Sequence, residues 1–234
     1  MKIALVTGAT SGIGYELTKK LLELNYEVYG LGRDFSKKNI ENSNFHEIKC
    51  DLSKSDELEK TLYKLKKISF NLIINSAGVG YFGLHEEMNI NKIKNMISVN
   101  LQAPLIISQY FLRTLKKNKG IIINVSSITA KKESPLGAVY SATKTGLSQF
   151  GRNLFEEVRK YGVKVVNLHP DMTKTDFYKD TFFDCAEDKN SYIEAFDIAK
   201  ILEFVLEQDD NIVLTDITIR PQKHIIKKKG NTKQ

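Results

Sequence analysis

Apolar and polar positions along this chain follow two periods in turn. Short runs rich in Ile, Val and Leu fall at 2–6, 27–31, 45–49, 71–74, 120–125, 163–168 and 211–214. They are apolar almost throughout, as expected of strands covered on both faces. Between them lie amphipathic stretches at 12–24, 55–67, 91–117, 138–160 and 194–207. In the second of these, Leu58, Leu62 and Leu65 recur at helical spacing among lysines and glutamates. Asn118, Lys119 and Gly120 stop the long third helix before the next strand. This alternation predicts an α/β fold, a parallel sheet with helices on both sides. Only 176–193 resists a regular assignment. It is aromatic and acidic in places, which suits a lid over a site.

Composition adds bounds. A chain of 234 residues, 41% hydrophobic, can fill one core, and no repeat or linker divides it. The expected organisation is one domain over 1–221, carrying the lid, and a basic flexible tail over 222–234. No apolar run is long enough to span a bilayer. The run Ile3-Ala4-Leu5-Val6 behind Lys2 is too short for an export signal and enters a glycine turn, so it reads as a buried strand of a cytoplasmic protein. Cys50 and Cys185 make no disulfide framework and read as reduced thiols. The formal charge of +7 is concentrated: Arg220, Lys223, Lys227, Lys228, Lys229 and Lys233 supply +6 of it, with no acid among residues 220–234. That distribution predicts a solvated, frayed tail. The tail lacks the aromatic residues that stack on single-stranded bases, so nucleic acid is not the expected partner.

The first chemical signal is the turn Thr7-Gly8-Ala9-Thr10-Ser11-Gly12-Ile13-Gly14. It follows the first strand and opens the first helix. Glycines let a backbone approach a pyrophosphate, and the helix N-terminus presents free N–H groups to it. The spacing G-x-x-x-G-x-G differs from the standard dinucleotide fingerprint, but the strand-turn-helix setting points to a nucleotide. The second strand leads into Gly30-Leu31-Gly32-Arg33-Asp34. An acid at the strand end would take the ribose 2′-OH of NAD; an arginine would favour the 2′-phosphate of NADP. Gly32 and Arg33 favour NADP(H), while Asp34 leaves NAD(H) open.

The second signal is Tyr140 and Lys144, four apart on a predicted helix and hence on one face. A free tyrosine with a pKa of about 10 exchanges protons poorly at neutral pH. A nearby ammonium stabilises the phenolate and lowers that value, so the pair is a candidate proton donor. A hydride carrier beside a proton donor implies an oxidoreductase acting on a carbonyl or an alcohol.

Taken together, the turn at 7–14, Asn75-Ser76-Ala77-Gly78, Asn100, Ser127, Tyr140-x-x-x-Lys144 and the segment from Pro170 to Thr175 resemble, in order and spacing, the short-chain dehydrogenase/reductase family. The resemblance runs from residue 2 to about 221. It implies a single-domain, Rossmann-like, doubly wound sheet of about seven strands in the order 3-2-1-4-5-6-7. It implies a catalytic set of Asn100, Ser127, Tyr140 and Lys144. Ser127 would hold the substrate oxygen near Tyr140, and Asn100 would hold a water connecting Lys144 to solvent. Cofactor contacts are implied for Gly8, Thr10, Ser11, Gly12, Ile13 and Gly14, and for Arg33. Asp51 would bind adenine, with Leu52 beside it, unless Asp51 merely caps a helix. Asn75, Ala77 and Gly78 would line the cofactor cleft, with Tyr140 and Lys144 beyond them. Pro170, Thr173 and Thr175 would lie by the nicotinamide. The chain departs from the family at Asp171, where glycine usually follows the proline, and at Ser76, where asparagine is common. The helices near 91–117 and 138–160 usually build a homodimer or homotetramer interface in this family.

The substrate is less well specified. Tyr81 and Phe82 follow the Asn75 segment, and Phe177, Tyr178, Phe182 and Phe183 lie in the lid. Converging on a cleft, they would favour an apolar or ring-bearing carbonyl compound; equally, they could pack the lid to the body. No metal site is predicted, because His46, His85, His169 and His224 are scattered singly. Other classes remain. A non-catalytic nucleotide-binding sensor or scaffold on this fold would tend to lack the Tyr/Lys pair. Sugar-nucleotide epimerase or dehydratase relatives carry a larger C-terminal substrate domain. Nucleic-acid binding through 223–233 would be steeply salt-dependent.

Overall fold

The structure, a computed structural model, describes residues 1–36 and 39–229. In chain order the elements are β1 (Ile3–Thr7), α1 (Gly12–Glu23), β2 (Glu27–Gly32), β3 (Phe45–Lys49), α2 (Ser55–Leu65), β4 (Leu72–Asn75), α3 (Ile90–Ile97), α4 (Ala103–Asn118), β5 (Ile121–Val125), α5 (Ala138–Val158) and β6 (Lys164–Pro170). After them come β7 (Thr173–Lys174), β8 (Phe183–Cys185), β9 (Ile193–Glu194), α6 (Ala195–Leu206), β10 (Asp216–Ile219) and β11 (Ile226–Lys228). The main sheet has seven strands in the order β10-β6-β5-β4-β1-β2-β3. Every pairing in it is parallel. This is the expected order, with β10 as the seventh strand.

Alternation within the strands divides the core into two layers. Ala4, Val6, Leu72, Ile74, Ile123 and Leu168 point to one face, where Leu17 and Leu21 of α1 and Ile198 and Leu202 of α6 cover them. Leu5, Ile73, Ile122 and Val165 point to the other, under Leu58 and Leu62 of α2, Ile107 and Phe111 of α4, and Leu154 of α5. A strand serving two layers must be apolar at every position, which is why these runs lack polar alternation. Truncating one of these leucines to alanine would cost about 2–5 kcal/mol.

Three elements differ from expectation. The seventh strand is Asp216–Ile219, not 211–214. The run Ile212-Val213-Leu214 is apolar but irregular, with Ile212 exposed. The true strand is an edge, paired only with β6, so it carries a mixed polar pattern that periodicity does not mark. The single helix expected over 91–117 is broken into α3, a wide π turn at Ser98–Gln102, and α4. Pro104 has no N–H to give to the carbonyl four residues back, that of Asn100, so the regular bond cannot form there. The tail is not free over its described part: β11 pairs antiparallel with β8 of the lid. Residues 230–234, with Lys233, lie outside the described residues. No helix among the described residues is long and apolar enough to cross a membrane.

Candidate active site

A cleft of about 990 Å³ runs along the C-terminal ends of the central strands. In an open parallel sheet this is where strand order reverses and loops part, leaving room for a ligand. The turn after β1 forms one end. Gly8 sits at φ +70°, and a Cβ there would lie 2.8 Å from the Cα of Ala77. Only glycine brings the two loops so close. Thr7 ties them together, its hydroxyl accepting from the N–H groups of Ser76 and Ala77, both at 3.0 Å. Ser11 is the extended N-cap of α1 and makes no side-chain cap bond, so the first-turn N–H groups are left to the cleft. Ser76 lines the cleft, but its hydroxyl is buried and has no partner among the described residues. Thr10, Gly12, Ile13 and Gly14 complete this end.

At the end of β2, a Cβ on Gly32 would collide with the Thr10 side chain. An acid at that position would force the Thr10 side chain to move. Arg33 follows, exposed at the cleft margin. The Asp34 carboxylate is turned back on its own chain, accepting from the Ser36 N–H at 2.9 Å and its hydroxyl at 2.7 Å. Asp51 and Leu52 line the same wall. Asp51 does not cap α2, whose N-cap is Lys54. Burial pushes the Asp51 carboxyl up, but bonds from Ser53 and the charges of Lys54 and Arg33 outweigh it and hold the group below its usual value.

Ser127, Tyr140 and Lys144 meet on the cleft wall, Ser127 just beyond β5 and the other two on one face of α5. The Lys144 ammonium donates to the Val125 carbonyl at 2.8 Å and stands 5.9 Å from the centre of the Tyr140 ring. Burial pushes the Tyr140 phenol up to about 12, against a smaller downward pull from Ser127. Burial likewise pushes Lys144 down to about 8. The lowering of Tyr140 expected from its lysine is thus reversed here, because desolvation of both groups is larger than their mutual effect.

Two expected residues stand behind the wall. Asn75 is buried, and its amide donates to Asn124 at 2.9 Å, while Asn124 donates to Asn167 at 3.1 Å. Adjacent strands place the three asparagines in register, so the side chain of Asn75 joins a polar ladder through the core instead of lining the cleft. Asn100 is fully buried and clamps the backbone of Val79, accepting from its N–H and donating to its carbonyl, both at 2.8 Å. It lies beside Lys144: a Cβ on Gly78 would be 3.4 Å from Nζ and 3.7 Å from the Asn100 oxygen. Ala77 and Gly78 do line the cleft, as do Pro170, Thr173 and Thr175. Asp171, the departure after Pro170, caps the N–H of Met172 at 2.9 Å and pairs with Arg220 at 3.0 Å.

A cage of aromatic rings closes the substrate end. Phe82 lies 5.4 Å from Tyr140 and 5.0 Å from Phe183, and Phe177 lies 5.7 Å from Tyr140 and 5.2 Å from Tyr178. Tyr81 reaches the same cleft and accepts from the Asn95 amide at 2.9 Å. Leu136 sits opposite at φ +66°, a strained value for a branched residue, with its carbonyl bound by the Gly83 N–H at 2.8 Å. The sequence reading missed His224, Ile226 and Lys228, which also line the cleft. The available signal was Ile225-Ile226, an apolar pair inside an otherwise solvated basic run.

A sequence model described as short chain dehydrogenase matches residues 2–185. The chain belongs to the short-chain dehydrogenase family. It is an oxidoreductase of that family. An uncharacterized oxidoreductase of Staphylococcus epidermidis is 30% identical over 227 residues, covering 94% of this chain and 97% of that protein. Among solved structures, a metagenomic short-chain oxidoreductase in complex with NADP is 29% identical with a TM-score of 0.80, covering 94% of this dehydrogenase and 96% of that chain. The fold is also that of a 3-ketoacyl-(acyl-carrier-protein) reductase from Brucella melitensis complexed with NADH, at 21% identity and a TM-score of 0.85, covering 96% and 98% of the two chains.

Proposed function

We propose that this oxidoreductase is an NADP(H)-preferring carbonyl reductase or alcohol dehydrogenase, with Tyr140 as general acid and base and an apolar, ring-bearing carbonyl or alcohol compound as substrate. The observation that carries the reading is the position of Tyr140: one face toward Ser127 and Lys144, the other against Phe82 and Phe177, in the wall of a cleft whose far end is the glycine turn. Gly8 and residues 10–14 suit a pyrophosphate, and Ala77, Gly78, Pro170, Thr173 and Thr175 extend the same wall toward Tyr140. Asp51 and Leu52 suit the adenine side. Arg33 suits a 2′-phosphate, and Gly32 and the inturned Asp34 support the same preference. A nicotinamide, when bound, supplies or accepts hydride at the carbonyl carbon.

The rest is the chain's own chemistry. The Tyr140 phenol, which burial pushes up, is protonated at neutral pH and is the donor to the carbonyl oxygen; the charges gathered beside it must offset that rise for the proton to leave. Ser127 holds that oxygen and Lys144 supplies positive charge beside the phenolate that forms. Asn100, through its grip on Val79 and the broken helical turn around it, positions Lys144. Acid–base help of this kind is worth roughly 10²–10⁴-fold. The aromatic cage excludes water and offers ring faces.

The free thiols of Cys50 and Cys185 support a cytoplasmic setting. Ile90 and Ile97, exposed on α3, support a homodimer or homotetramer through this region. The test of the function is consumption of NADPH, with NADH in parallel, against ketones, aldehydes, quinones and acyl-thioester ketones. Turnover lost in Tyr140→Phe with NADPH binding retained is the expected result. A Tyr140→Phe protein as fast as the wild type would overturn the role of Tyr140, and no binding of either cofactor would overturn the cleft's assignment.

A further inference from the structure

The basic C-terminal segment does not behave as a solvated tail. β11 runs antiparallel to β8, with Ile226 opposite Cys185, Lys227 opposite Asp184 and Lys228 opposite Phe183. Among the described residues these two strands form a sheet of their own. β8 is a three-residue strand, and without β11 its backbone edge would have no strand partner. Two more backbone bonds extend the contact, from the Lys229 N–H to Phe182 at 2.9 Å and from the Lys223 N–H to Asn190 at 2.8 Å.

Side chains fasten the same contact. The Lys229 ammonium donates to the carbonyls of Tyr178 at 2.6 Å and Lys179 at 3.0 Å, and pairs with Asp184 at 3.2 Å. Lys223 pairs with Asp188 and Lys227 with Glu187, both at 2.8 Å. Three lysines from the last part of the chain thus meet three of the acids of the lid. The Lys227 pair is solvent-exposed and contributes little by itself. Lys229 is the stronger fastening, since it holds two lid carbonyls and a lid carboxylate at once, whereas Lys223 and Lys227 each hold one carboxylate.

The residues so held are those next to the reacting group. Phe183 of β8 packs on Phe82, Phe82 packs on Tyr140, and Tyr178 packs on Phe177 and Phe183. Alternate residues of the strap, His224, Ile226 and Lys228, line the cleft themselves. We infer that residues 223–229 are a strap that positions the lid over Tyr140 and forms one wall of the substrate site, with Lys229 as its principal fastening.

The inference has a structural half and a turnover half, and only the second rests on the carbonyl-reductase reading. Hydrogen exchange, read by mass spectrometry on the NADPH-mixed full chain, would compare wild type, Lys229→Met and a chain ending at Gln222. Amides of 176–185 are expected to exchange roughly tenfold faster or more in both variants, with those of α5 unchanged. Exchange of the lid should also rise in wild type at about 0.5 M NaCl, where exposed ion pairs are screened. With 9,10-phenanthrenequinone as probe, both variants should show a several-fold higher KM and an unchanged NADPH affinity. Lid exchange equal to wild type in both variants would overturn the strap. Faster exchange with unaltered KM and kcat would overturn its role in the substrate site. If wild type reduces no quinone, the carbonyl-reductase reading suffers and the exchange result alone still decides the strap.

Discussion

The ring of His169 is wholly buried with its Nε2 2.6 Å from the Asp216 carboxylate, on β6 and β10 respectively. The other nitrogen, Nδ1, faces the backbone carbonyl of Ser127 at 3.3 Å. The short contact assigns the proton to Nε2, which donates to the carboxylate. Burial, the chief cause, and the charge of Lys131 hold the imidazole below its usual pKa against the upward pull of Asp216. His169 therefore ties β6 to the edge strand β10, with its ring lying against the backbone of Ser127. Its replacement by leucine is expected to destabilise the fold by about 1–3 kcal/mol, the effect of leaving Asp216 with less compensation. Turnover should fall several-fold while NADPH affinity holds. A calorimetric melt and steady-state kinetics check both, and glutamine at 169, which can still donate to Asp216, should recover part of each loss.

Lys144 carries a cost that its chemistry requires. Burial holds its folded pKa at about 8, below the ordinary 10.5, so the burial penalty is fully present below the folded value and is relieved as pH rises from there to the ordinary one. At about 1.4 kcal/mol per unit, the penalty is at most about 3 kcal/mol. Lys144→Met is expected to melt higher than wild type at neutral pH and to lose that advantage toward about pH 10, while turnover disappears. A variant that melts lower at neutral pH would sink the burial argument. In wild type, carbonyl reduction should lose rate as pH passes about 8 and Lys144 gives up its charge.

Arg33 is the cation expected at the ribose end of the cofactor, and its exposure means that removing it should leave the fold intact. Arg33→Ala is expected to weaken NADPH binding by roughly 10- to 100-fold, the range for losing a charged hydrogen bond, and NADH binding by much less. Fluorescence titration of the two nucleotides gives the ratio directly. An equal loss for both would mean that Arg33 does not read the 2′-phosphate.

The asparagine ladder makes a prediction about stability. Asn124 accepts from Asn75 and donates to Asn167, so leucine at 124 leaves the Asn167 oxygen without that donor and the Asn75 amide with only a long contact to Ser108 at 3.5 Å. Each such group costs about 1–3 kcal/mol. At 2–4 °C per kcal/mol, the melting temperature of Asn124→Leu is expected to fall by roughly 5 °C or more. A melt equal to that of wild type would show that water or relaxation replaces the ladder.

The alternation of buried strands with amphipathic helices, the glycine turn and the placing of Tyr140 and Lys144 on one helix face were determined by the sequence alone; the strand order came from the family resemblance. The first three follow from local rules: full apolarity for a strand under two layers, a four-residue helical repeat, and a backbone that only glycine permits. Tertiary structure decided the rest. The edge strand at 216–219 is selected by pairing with β6, since one neighbour leaves little pattern. Asn75 reads as a cleft residue until Asn124 and Asn167 arrive from distant strands to take its amide. The lysines of 223–229 look solvated until Asp184, Glu187, Asp188 and the edge of β8 come within reach. Tyr140 and Lys144 take their shifted proton affinities from burial, which is a sum over neighbours drawn from the whole chain and is written in no single segment of it.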